Sequence, residues 1–257
     1  MKPHLLALAV ALAWPGAPAR AQELRIAAAS DLQSVFPRLV ARFEAETRQR
    51  VTVTFGSSGN FFSQIQNGAP FDLFFSADVD YPRRLVAADL AFPGSRYTYA
   101  TGRLVLWTRK DSPVELSRGL AALGDVRIRR IAIANPAHAP YGRAAVAALQ
   151  HAGLYDSVRD RLVLGENVSQ AAQFVLSGNA EAGLIALSLA LDPALAATGA
   201  FVEIPAAFHP SLEQAAVVLT HGRHPEAARQ FLRLLARPDS VRVLQESGFA
   251  PPPAGPR

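Results

Sequence analysis

The chain contains no cysteine and a single methionine in 257 residues. Disulfides and thiolate metal sites are thereby excluded, and the composition is silent about redox compartment. Long apolar runs are also missing: the run at residues 5–14 is too short to span a bilayer as a helix, and no later stretch is long enough. Charge is sparse at 18% of residues, and the basic residues are almost all arginine, scattered along the chain. Their densest cluster, Arg127, Arg129 and Arg130, has no interleaved aromatics, so a nucleic-acid partner is not expected. No H-E-x-x-H, Walker loop or G-x-G-x-x-G occurs, which removes metalloprotease, P-loop and Rossmann readings.

Half the residues are hydrophobic, enough to bury the core of one large domain or two modest ones. The chain opens with Lys2 and His4, the short apolar run, a Pro-Gly-Ala-Pro break and Ala19-Arg20-Ala21, which has the A-x-A form of a cleavage site. This predicts a secretory signal peptide over 1–21, cut after Ala21. Its removal lowers the formal charge from +5 to +3 through loss of Lys2 and Arg20.

The mature region alternates strand and helix patterns. Residues 24–29 read as a buried strand, followed by Ser30-Asp31 and then Leu32, Val35, Phe36, Leu39, Val40 and Phe43 at helical spacing. Pro37 requires either a kink or a helix that begins near Pro37. Residues 51–55 form a second strand, ended by Gly56-Ser57-Ser58-Gly59 before the helical Phe61, Phe62 and Ile65. A third strand at 71–75 and a helix at 81–88 follow. The second half restarts the alternation: a strand at 131–133, a loop through His138 and Tyr141, and a helix over 143–151. A strand at 162–164 then leads through Asn167 and Val168 into a helix carrying Ala172, Val175 and Leu176. Strands at 183–186 and 201–204, an apolar run at 215–219 and helices from Pro225 and Pro238 complete the chain. Such alternation predicts an α/β protein with parallel sheets in two halves. The expected lobes are 22–102 with 222–250, and 103–221, with a flexible tail at 251–257.

Four strand-to-helix junctions result, two in each half. Each offers unpaired backbone N–H groups and the positive end of a helix dipole, so the natural guest is an anion. A single such junction would be read as a plain helix cap; four at the carboxyl ends of strands predict a shared cleft. A serine hydrolase is the competing reading, but Asn60 stands where a G-x-S-x-G elbow around Ser58 needs its second glycine. His138, His151, His209, His221 and His224 have no motif context and read as loop or surface residues. Asp72 and Asp78 flank the third strand and read as strand-end caps.

The stretches AAAS (27–30), FGSSG (55–59), GAPFDLFFSAD (68–78), PAHAPYGRAA (136–145) and GLIALS (183–188) together resemble the periplasmic molybdate-binding proteins of molybdate ABC importers, over residues 23–249. The resemblance implies a two-lobed type II periplasmic binding protein fold, each lobe a mixed, mainly parallel sheet flanked by helices, with the ligand in the interlobe cleft. It implies hydroxyl and amide donors from Ser30 and Ser58, backbone amides from Tyr141 and Val168, and the backbone N–H of Asp31 with its carboxylate turned away. These atoms would contact the oxygens of the molybdate oxyanion, with no direct ligand to the metal. Some members carry a tyrosine in the strand where this chain has Ala186, a role that the Tyr141 side chain could take over. The further expectations are no enzyme activity, no cofactor, molybdate or tungstate as transported ligand, an inner-membrane permease as partner, a monomer, and a periplasmic location. Another oxyanion such as sulfate, or an organic acid, is the alternative ligand. A donor-only cage suits anions that carry no proton at neutral pH.

Overall fold

A computed structural model describes residues 23–253. The expected signal peptide and the end of the tail lie outside the described residues. Among those described, ten strands form two five-stranded sheets. The first contains β1 (Glu23–Ala29), β2 (Arg50–Gly56), β3 (Leu73–Ser76), β4 (Tyr97–Thr101) and β10 (Glu213–Val218), in the order β2-β1-β3-β10-β4. The second contains β5 (Leu104–Arg109), β6 (Ile131–Ala134), β7 (Leu162–Gly165), β8 (Ala182–Ala186) and β9 (Gly199–Glu203), in the order β7-β6-β8-β5-β9. The helices are α1 (Phe36–Thr47), α2 (Ser58–Gln66), α3 (Asp80–Ala87), α4 (Pro140–His151), α5 (Tyr155–Val158), α6 (Val168–Leu176), α7 (Leu187–Ala190), α8 (Pro193–Thr198), α9 (Pro225–Leu235) and α10 (Pro238–Glu246).

The two sheets share one plan. β1 pairs in parallel with β2 and β3, as β6 does with β7 and β8. In each sheet the fourth strand, β10 or β5, runs antiparallel to both its neighbours. Each of these strands enters from the other lobe, and a strand entering from that side runs against the rest. The expected boundary at 221/222 is corrected accordingly: β10 is hydrogen-bonded between β3 and β4, so the chain has returned to the first lobe before Glu213. The outward crossing lies at Gly102-Arg103, between β4 and β5.

The first sheet is buried on both faces, as its apolar strands require. Successive residues of β3 face opposite sides: Phe75 packs with Phe36, Phe43 and Phe231 on one face, Phe74 with Phe61, Phe62 and Ile65 on the other. The Phe36 and Phe75 rings meet edge-on at 4.9 Å. Pro37 falls in the first turn of α1, where its missing N–H costs no hydrogen bond, and a separate 3-10 turn spans Ser30–Leu32. The chain thus bends between Ser30 and α1, and Ser30 stays at the end of β1.

Candidate functional site

The carboxyl ends of β1, β2, β6 and β7 face one another across the lobes. Ser30, Asp31, Ser58, Tyr141 and Val168, all expected in the site, line one cavity. All five are buried. Ser30 and Asp31 come from the turn after β1, Ser58 from the start of α2, Tyr141 from the first turn of α4 and Val168 from the start of α6.

The hydrogen-bond pattern orients the donors. Ser58 Oγ accepts the Ala77 N–H at 3.0 Å, and Ser30 Oγ accepts the Ser169 N–H at 3.4 Å. A hydroxyl that accepts one such hydrogen bond keeps its own proton to donate elsewhere. At the helix starts, several amides already have partners. In α6, Asn167 Oδ1 caps the Gln170 N–H and the Asn167 carbonyl takes that of Ala171. In α2, the Gly59 N–H goes to the His138 carbonyl and that of Phe61 to the Ser57 carbonyl. The first-turn amides of Ser58, Tyr141 and Val168 have no acceptor within their helices. Two hydroxyls and these amides therefore converge on a cavity whose lining includes no arginine, lysine or histidine.

Ser57, the neighbour of Ser58, does not cap its helix. Its hydroxyl donates across the cleft to the His138 carbonyl at 2.6 Å, with His138 Nδ1 at 2.9 Å. With the hydroxyl proton directed to the carbonyl, Nδ1–H is the donor to Ser57, the reverse of what a general base needs. Ser58 has only the Ala77 amide as recorded partner. These contacts favour a binding site over a hydrolase.

The Asp31 carboxyl is fully buried and faces the crossing between the lobes. Gln214 of β10 donates to Oδ2, the Tyr141 hydroxyl stands beside the same carboxylate, and Tyr99 holds Gln214 through its Oε1 at 2.7 Å. Burial pushes the Asp31 carboxyl up to about 6. Burial, and then the Asp31 charge, raise the Tyr141 and Tyr99 hydroxyls well above their ordinary range. The Tyr141 hydroxyl is thus committed to this network. A Cβ on Gly102 would come within 2.2 Å of it, so any side chain at the crossing would displace it.

The lobes touch all round the cavity. Arg143 pairs with Asp78 and donates to the Tyr81 hydroxyl at 3.3 Å. Asn60 donates to Glu166, and Ser169 to Gln33 at 2.6 Å. Ser34 donates to the Ser188 carbonyl at 2.9 Å, and Ser188 to the Asp31 carbonyl at 2.7 Å. Arg143, the one arginine near a junction, is thereby turned away as a cleft-closing partner. Asp72 accepts the Arg25 and His224 amides, a structural role as expected, whereas Asp78 joins the lobes as well as accepting the Asp80 amide. Gln214, Tyr99, Ser188 and the His138 carbonyl were not legible as site residues. Gln214 carries the one available signal, a polar residue inside an apolar strand.

The family model for bacterial extracellular solute-binding proteins matches residues 24–250. The molybdate-binding protein ModA of Azotobacter vinelandii is 38% identical over 231 residues, 90% of this chain and 91% of that protein. The molybdate-binding protein ModA of Rhodobacter capsulatus is 36% identical over 244 residues, 95% and 93% of the two chains. Among solved structures, the periplasmic molybdate-binding protein of A. vinelandii superposes with a TM-score of 0.84 at 35% identity, covering 89% of this chain and 99% of that one. Two lobes built on one plan around a buried cleft, over the whole span the family model covers, place the chain among the bacterial extracellular solute-binding proteins, the family to which it belongs.

Proposed function

We propose that this chain captures molybdate, and tungstate as its near-isostere, in the interlobe cleft and delivers it to the permease of an ABC importer. The observation that carries the reading is the cavity at four junctions from both lobes, whose lining offers hydroxyl and backbone N–H donors and no basic side chain. Five to seven hydrogen bonds to a charged ligand, at roughly 1.5–3 kcal/mol each, can offset the cost of association and leave the ~8–12 kcal/mol of a micromolar to nanomolar binder. Ser30 and Ser58 supply hydroxyl and amide donors, Tyr141, Val168 and Asp31 backbone N–H groups. An organic acid would usually call for an arginine clamp, and Arg143 is held by Asp78 instead. Sulfate, also unprotonated, is rejected by size.

Capture works by closure of the two lobes about the crossings, and the interlobe hydrogen bonds hold the closed form that the permease recognises. The protein acts as a monomer in the periplasm after cleavage behind Ala21. Calorimetry with molybdate, tungstate, sulfate and phosphate tests the reading. Nanomolar to micromolar molybdate binding with sulfate and phosphate at least a hundredfold weaker is expected; sulfate binding as tight as molybdate would overturn it.

A further inference from the structure

Asp31 is the one acidic side chain among the residues lining the anion cavity. Gln214 donates to its Oδ2 and the Tyr141 hydroxyl stands beside the carboxyl, but neither neutralises its charge. The groups facing it come from four elements: Tyr99 on β4, Gln214 on β10, Tyr141 on α4, and Ser188 on α7, which holds the Asp31 carbonyl. None of them carries a positive charge. A buried carboxylate without a cation, beside a site for a dianion, is destabilised twice, by desolvation and by like charge.

We propose, building on the oxyanion-binding reading, that Asp31 takes up one proton when the dianion binds beside it. Molybdate or tungstate, arriving without a proton, is bound together with one proton taken from solvent onto Asp31. The resulting carboxylic acid is neutral, so the like-charge repulsion is removed, and rising pH weakens molybdate binding. The raised position of the free carboxyl supports the same direction. Tyr99 and Tyr141, shifted upward, stay neutral through the range that matters.

The test is calorimetry of molybdate binding to the purified protein in Tris and HEPES, whose ionisation enthalpies differ, between pH 7.5 and 9. Uptake approaching one proton per molybdate is expected, with affinity falling about tenfold per pH unit where Asp31 is ionised before binding and protonated after it. In Asp31→Asn the amide replaces the acid, so proton uptake should vanish, the pH profile flatten, and molybdate bind more tightly than to the wild type at pH 9. Tight molybdate binding with no proton uptake by the wild type would overturn this proposal alone, and that measurement needs no variant. Uptake persisting in a folded Asp31→Asn protein would overturn it as well. Failure to bind molybdate at all would overturn both this and the oxyanion reading.

Discussion

Removal of the Ser58 hydroxyl separates ligand binding from scaffold in one experiment. The oxygen has two duties: it accepts the buried Ala77 N–H at 3.0 Å and presents its proton to the cavity. Ser58→Ala deletes both. Loss of a hydrogen bond to a charged ligand costs roughly 1.5–3 kcal/mol, or about 10- to 150-fold in Kd. The stranded Ala77 amide costs a further ~1–3 kcal/mol in the ligand-free protein, and Tm should fall by roughly 2–10 °C for a chain of this size. Ser30→Ala provides the internal comparison, because the Ser169 amide that Ser30 accepts is at 3.4 Å and loses less. It should match Ser58→Ala in affinity loss and show the smaller fall in Tm. Calorimetry with molybdate and thermal melts of the ligand-free variants read the two quantities separately. A Kd for Ser58→Ala within threefold of wild type, in a protein whose Tm falls as expected, would refute the donor role and leave Ser58 as scaffold.

Asp72→Ala should lower stability by ~2–5 kcal/mol, since Asp72 receives the amides of Arg25 and His224, with little change in the ligand affinity of the folded protein; urea unfolding checks this. Arg143→Gln or Asp78→Asn should weaken ligand affinity by less than about fivefold, because the pair is partly exposed, and the difference from wild type should shrink in 0.5–1 M salt, measured by titration. Asp31 has a pH signature in the ligand-free protein. Its carboxyl rises from 3.8 to about 6 in the fold, so the native state holds the proton more tightly than the unfolded chain. Stability should therefore fall as pH climbs from about 4 to 6 and stay lower above, by an order of ~3 kcal/mol, and Asp31→Asn should lack that component in melts across the range. Gly102→Ala drives a methyl group against the Tyr141 hydroxyl and the Gln214 amide; reduced molybdate affinity and lower Tm are expected.

Local patterning made much of the site readable. Ser30, Ser58, Tyr141 and Val168 each stand where a strand pattern gives way to a helix pattern, a signal confined to a few neighbouring residues. Their convergence followed from the rule that α/β sheets bind at the carboxyl ends of their strands. Pro37 likewise indicated where α1 begins, because a missing N–H is harmless only in a first turn. The closing contacts had no such signal. His138 offers a carbonyl, which every residue has, and Ser188 looks like any serine after an apolar strand. Their partners, Ser57, Ser34 and Asp31, are 81 to 157 residues away in sequence.

The sequence alone determined the strand and helix order, the two α/β halves and the four strand-to-helix junctions, because each depends on short-range periodicity and on residues that start or stop an element. Only the tertiary structure decided that β10 belongs to the first sheet, that Arg143 is spent on Asp78, and that the Asp31 carboxyl lies buried with Gln214 and Tyr141. Those outcomes depend on which distant groups share a dry space. Desolvation and hydrogen-bond saturation, which set the charge and direction of each side chain there, are properties of that shared space.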